Sequence, residues 1–157
     1  MSRANMTPGN FSDRIPETDE AVRQLNSLLR GEISACETYR MAIDKVADSD
    51  QIAMDNVSIL REIEGEHDQA VRQLRQPSGS SGAWGAWAQT VQGTMNLFGD
   101  ASALKSLKEG EEHGLKDYQE ALDDVDSMSR ELIESQLLPN QQRHIALLNQ
   151  LMSLTNA

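Results

Sequence analysis

The sequence predicts an all-α protein of four long helices, arranged as two antiparallel hairpins joined by a long crossover. Three observations carry that prediction. Apolar residues recur at alternating steps of three and four through four long segments. Aromatic residues are only 4% of the 157-residue chain, and Gly and Pro gather in a few places, which favours helices over strands. The breaks between segments run short, long, short, so the first two and the last two segments pair as hairpins.

Taken in order, residues 1–17 are polar, contain Pro8 and Pro16, and read as a flexible N-terminal arm. Residues 18–157 then form a single helical domain, long enough to bury a real core. The first helix starts at Thr18, an N-cap followed by acids, and runs to Ala47. The second follows a turn at Asp48, Ser49 and Asp50 and ends at Gln76, where Pro77 stops it. A crossover of residues 77–99 carries no charge, and Trp84, Trp87 and Val91 are placed to clamp it across the helices. The third helix starts at Asp100 and ends near Asp124; the fourth runs from Asp126 to Leu154, with Pro139 kinking or breaking it. A helix of roughly 28 residues is about 42 Å long, so these are bundle-sized rods.

A net charge of -11 argues against nucleic acid or an anionic membrane as partner and favours attraction of cations. The chain opens on no secretory leader and has no run of 18 apolar residues, so the expectation is a cytoplasmic protein that does not span a membrane. Cys36 is the single cysteine and has no partner for an internal disulfide. No Ser-His-Asp arrangement, phosphate-binding Gly loop or paired-Cys motif gives hydrolase or nucleotide chemistry a foothold.

The chain repeats itself. G-E-I-S-A-C-E-T-Y-R-M-A-I at residues 31–43 matches G-E-E-H-G-L-K-D-Y-Q-E-A-L at 110–122: Gly-Glu, then Tyr seven after the Glu, then Ala and an aliphatic residue. Helices two and four match more faintly, with Glu64, His67, Gln73 and Leu74 against Gln141, His144, Gln150 and Leu151. The offsets nearly agree, 110 − 31 = 79 and 144 − 67 = 77, as two halves of a duplication would give.

The inward stripes carry polar residues in the middle. Helix one gives Leu25, Leu28, Glu32, Cys36, Tyr39 and Ile43, and helix two Val57, Leu60, Glu64, His67, Val71 and Leu74. Helix three gives Leu104, Leu107, Glu111, Leu115, Tyr118 and Leu122, and helix four Leu137, Gln141, His144, Leu148 and Leu151. Glu32, Glu64, His67, Glu111, Gln141 and His144 therefore converge at one level. Buried carboxylates without compensation cost several kcal/mol each, so they must be protonated, hydrated or bound to a cation. Glu37, Glu62, Glu66, Glu109 and Glu112 lie off the stripes and read as solvated charge, as does His113. Tyr39 and Tyr118 read as core tyrosines whose hydroxyls meet the carboxylates, and Cys36 as a small buried hydrophobe.

One Glu on helix one, Glu-x-x-His on helix two, one Glu on helix three and a His-bearing helix four resemble the di-iron carboxylate signature of the ferritin-like superfamily. The resemblance covers residues 20–154. The uncharged Gly-Trp crossover and the G-E…Y…A-L third helix look more specifically like an uncharacterised bacterial ferritin-like family, formerly a domain of unknown function. By that resemblance the fold is a ferritin-like four-helix bundle. Glu32, Glu64, His67, Glu111 and His144 would be metal ligands, with Glu64 and Glu111 bridging, and the chemistry would involve iron, oxygen or peroxide. The departure is Gln141, which stands where the motif has Glu and is a weaker, neutral ligand. A site for two irons, one iron or another divalent metal, or none, stays open. The alternative is a non-catalytic bundle whose polar layer fixes helix register and which acts by self-association or partner binding. An apolar patch around Trp84, Trp87, Met95 and Phe98 would then serve as a homodimer contact.

Overall fold

The computed structural model describes residues 15–47, 54–78 and 100–155, and they are helical throughout apart from one short turn. Helix α1 spans Ile15–Ala47, α2 Met54–Ser78 and α3 Asp100–Ala121. The fourth rod comprises α4 (Ser127–Leu132), a π-helical turn at Ile133–Leu137, and α5 (Leu138–Thr155). No helix among the described residues is long and apolar enough to cross a membrane. The expected clamp and dimer patch, Trp84, Trp87, Val91, Met95 and Phe98, lie outside the described residues, as does the arm before Ile15.

Three ends differ from expectation by two residues or more, one of them that of α3, which stops at Ala121 and not near Asp124. Helix α1 begins at Ile15, not Thr18. Pro16 is compatible with that start, because first-turn N–H groups have no intrahelical acceptor and proline lacks one anyway. Helix α2 continues past Pro77 to Ser78, since a proline in the last turn costs only one terminal hydrogen bond. The start of the fourth rod is as expected. The Asp126 carboxylate accepts 3.0 Å bonds from the Met128 and Ser129 amides and a 2.7 Å bond from the Ser129 hydroxyl. The Ser129 bonds lead the interactions that hold this carboxyl below its ordinary pKa.

Pro139 neither breaks nor ends the rod. The turn before it widens instead, and the Leu138 amide donates to the Ile133 carbonyl five residues back. That widening eases the clash a proline ring makes with the carbonyl four residues before it. It also corrects phase. The buried residues Ser129, Ile133, Leu137 and Gln141 recur in three steps of four. Twelve residues of regular α-helix overshoot three turns by about a third of a turn. A wider turn absorbs the excess and brings Gln141 and His144 inward.

Two apolar clusters fix the packing. One joins Leu25, Leu28 and Leu29 to Val71, Leu74, Tyr118 and Ile133; the other joins Tyr39 and Ile43 to Leu60, Leu104, Leu107 and Leu148. Helix α1 thus runs antiparallel to α2 and to α3, while α2 and α3 run parallel. The chain leaves α2 at one end of the assembly and enters α3 at the other. Helix α1 packs chiefly on α2 and α3 chiefly on α5, as the hairpin reading expected, with thinner contact between the two pairs. Every anticipated stripe position with a described side chain is buried except Val57, Glu64, Leu115 and Leu122, which are partly exposed. Between the two apolar clusters lies a polar layer.

Candidate metal centre

Five of the six residues singled out from the sequence meet in that layer. Glu32, His67, Glu111, Gln141 and His144 are each at most 6% exposed, although four different rods supply them. Glu111 sits at the centre. Its Oε1 accepts from the Tyr39 hydroxyl at 2.5 Å and lies 2.9 Å from His67 Nε2. Its Oε2 accepts from the Gln141 amide at 2.5 Å and lies 3.3 Å from His144 Nδ1. The same amide donates to the Glu111 backbone carbonyl at 2.9 Å.

The outer nitrogen of each imidazole meets a second carboxylate. His67 Nδ1 lies 2.7 Å from Glu32 Oε2, and His144 Nε2 lies 2.7 Å from Glu66 Oε2. The Tyr118 hydroxyl donates to Glu32 Oε1. The two tyrosines are therefore exchanged: Tyr39 of α1 serves Glu111 of α3, and Tyr118 of α3 serves Glu32 of α1. Equal offsets, 118 − 39 = 79 and 111 − 32 = 79, mean that equivalent positions of the repeat reach across to each other. The reading of both tyrosines as core residues bonded to the carboxylates holds.

Electrostatics follow from this geometry. Burial alone would push the His67 imidazole down, but hydrogen bonds to Glu111 and Glu32, together with their charges, raise it to about 10. Burial would raise the Glu111 carboxyl, yet bonds from His144 and His67 hold it down to about 2. Without a metal, His67 is thus the internal cation that makes Glu111 tolerable in the core. Burial first, then the neighbouring carboxylates, lift both tyrosines well above 10, so they remain neutral donors. Cys36 is buried and its thiol is pushed up to about 12, as befits an inert core residue.

Glu64 is placed apart. Its Oε1 accepts from Arg40 at 2.8 Å near the surface, so the expected bridging carboxylate does not reach the cluster. Glu66, expected as solvated charge, instead brings a carboxylate of α2 to the cluster by contacting His144 of α5. The Arg143 guanidinium pairs with Glu66 and also with Glu62, the latter at 2.7 Å, and holds the Glu66 carboxylate inward. The repeat carried a signal for this pairing: 143 − 66 = 77 is the His-to-His offset, so Glu66 and Arg143 occupy equivalent positions with opposite charge. Glu112 and His113 are solvent-facing as expected, paired with Lys108 and Asp117.

Gly114 leaves no mark on the apolar stripes, yet it shapes the layer. A Cβ there would lie 2.7 Å from the Gln141 amide nitrogen, so a larger residue would push that amide from its present place against Glu111. Gly65, by contrast, faces open space. Gly114→Ala should destabilise the protein by about 1–2 kcal/mol, because loss of a buried hydrogen bond outweighs the helix-propensity gain. Gly65→Ala should stabilise it by about 0.5–1 kcal/mol. Urea titration of the two variants side by side checks the opposite signs.

His67, Glu111 and His144 offer a metal-ligand constellation: one ligand atom from each lies within 4.8 Å of the other two. In a tetrahedral site with ligands at about 2.1 Å the ligand atoms stand about 3.4 Å apart, so an ion would draw the more distant of these atoms inward. Two imidazoles and a carboxylate also suit first-row divalent metals, Fe(II) among them. Comparison with family models, curated proteins and solved structures finds no match for the chain.

Proposed function

We propose that this chain is a ferritin-like helical protein that holds one divalent metal ion, iron first among the candidates, between His67, His144 and Glu111. The observation that carries this reading is the paired use of each imidazole. One nitrogen turns toward Glu111 and the other is anchored on a separate carboxylate, Glu32 for His67 and Glu66 for His144. Metal-ligating histidines are characteristically oriented by such an outer carboxylate, which fixes the tautomer and strengthens the ligand. Tyr39 and Gln141 would hold the Glu111 carboxylate in place. A single ion fits better than a pair, because Glu64 is engaged by Arg40 and Gln141 presents its amide nitrogen as a donor.

Bound iron would supply Lewis acidity and one-electron chemistry with oxygen or peroxide. The protein's part is to keep the tyrosines neutral and the imidazoles oriented. The rival reading, a polar layer that only fixes helix register, draws support from its completeness: no buried side-chain nitrogen or oxygen among the described residues lacks a hydrogen-bond partner. Metal content separates the two. After anaerobic Fe(II) loading and desalting, the wild type should retain about one iron per chain, and His67→Ala/His144→Ala should retain almost none. No retained metal in the wild type would leave the register role standing alone.

A further inference from the structure

A cavity of about 230 Å³ lies between α1 and α3. Small residues create it: Gly31, Ser34 and Ala35 on one wall, Ser106, Gly110 and Gly114 on the other. Exposed Gly31, Gly110 and His113 line the same space as buried Glu32, His67 and Glu111, so the cavity connects solvent with the cluster. The opposite approach, between α2 and α5, is bridged by Arg143 with Glu62 and Glu66 and by a 2.6 Å bond between Gln73 and Gln136.

The net charge of the lining is negative, since the His67 cation is outnumbered by carboxylates. Glu32 and Glu111 form the floor and Asp117 stands at the rim, whereas no Lys or Arg among the described residues borders the space. The basic groups there are imidazoles, and His113 is itself paired with Asp117 at 3.5 Å. A low-dielectric cleft with an excess of one sign of charge concentrates the opposite sign and repels its own. We propose that the α1–α3 cleft is the entrance to the buried cluster, admitting cations and small neutral molecules and excluding anions. What the entrance delivers rests on the metal reading above; its charge preference does not.

Two measurements test the inference separately. Thr38 lines the cleft and Ser153 is an exposed reference on α5, while native Cys36 is buried and unreactive. Thr38→Cys and Ser153→Cys are each treated with a cationic and an anionic thiosulfonate reagent of similar size. The cation-to-anion rate ratio should be at least about tenfold higher at position 38 than at 153, by focusing of the cleft charge. Ser34→Cys serves should Thr38→Cys fold poorly. In the second measurement, a bulky label on Thr38→Cys should slow cobalt(II) uptake about tenfold or more at unchanged final content, and reductive removal should restore the rate. Equal reagent ratios at the two positions overturn the charge preference, and unslowed uptake overturns the entrance. A wild type that takes up no cobalt(II) defeats the metal reading, and with it the delivery role, while the reagent ratio still decides the cleft.

Discussion

Glu111→Ala should cost the metal-free protein about 3–5 kcal/mol, the scale of breaking a buried ion pair from one side. Four side chains converge on this carboxylate: Tyr39, His67, Gln141 and His144. Truncation takes a partner from all four, and leaves Tyr39 with none of its side-chain bonds, in a layer where Glu111 itself is 2% exposed. His67 suffers most, because one of the two carboxylates that keep it charged disappears. A loss of this size is a large part of the whole stability of an ordinary domain, about 5–15 kcal/mol. Glu111→Gln should cost less, since the shape survives and one oxygen still accepts, but its new amide hydrogens face donors. Glu112→Ala, one residue on and exposed, should change stability by less than about 0.5 kcal/mol. Urea titrations with chelator at pH 6 measure all three, and similar losses at positions 111 and 112 would refute the assignment of Glu111 as hub.

That contrast also shows why much of the layer was legible in the sequence. Neighbouring residues on a helix point about 100° apart. A stripe anchored by Leu104, Leu107 and Tyr118 therefore favours Glu111, although a phase error of one residue would exchange it for Glu112, its main rival. The same reasoning placed Glu32, His67 and His144. It failed for Glu64, which lies at the stripe's edge on a turn that Arg40 can reach: periodicity gives direction from the helix axis, not the competition between partners on either side. Gln141 succeeded for a reason the periodicity did not contain, since its phase depends on the π turn that Pro139 accompanies. Gly114 was silent because a missing side chain leaves no mark on a hydrophobic pattern. Its role appears only when the Gln141 amide is seen occupying the space a Cβ would take.

Metal affinity and metal-free stability should respond to pH with opposite slopes. His67 is raised in the folded protein from its usual 6.5 to about 10. Its contribution to stability is fully present below about pH 6.5 and is lost as pH rises through about 10. Glu111 is lowered from 4.5 to about 2, so its contribution is present above about pH 4.5 and lost as pH falls through about 2. The metal-free protein should therefore be most stable between about pH 4.5 and 6.5 and should weaken toward pH 8.5. A metal ion must displace the His67 proton to use that nitrogen. Over the interval in which the apo protein weakens, affinity should accordingly climb about tenfold per pH unit, roughly a hundredfold from pH 6.5 to 8.5. At pH 7 the proton still competes with the metal for that nitrogen, weakening every divalent ion by a common factor and leaving their order unchanged. Competition of zinc(II) against a chelator of known proton affinity gives the slope directly. A slope near one, with urea stability falling over the same range, is expected of a site in which the imidazolium and the metal are alternative cations for one carboxylate. A flat affinity profile with the same fall in stability would mean that the His67 proton belongs to the fold alone.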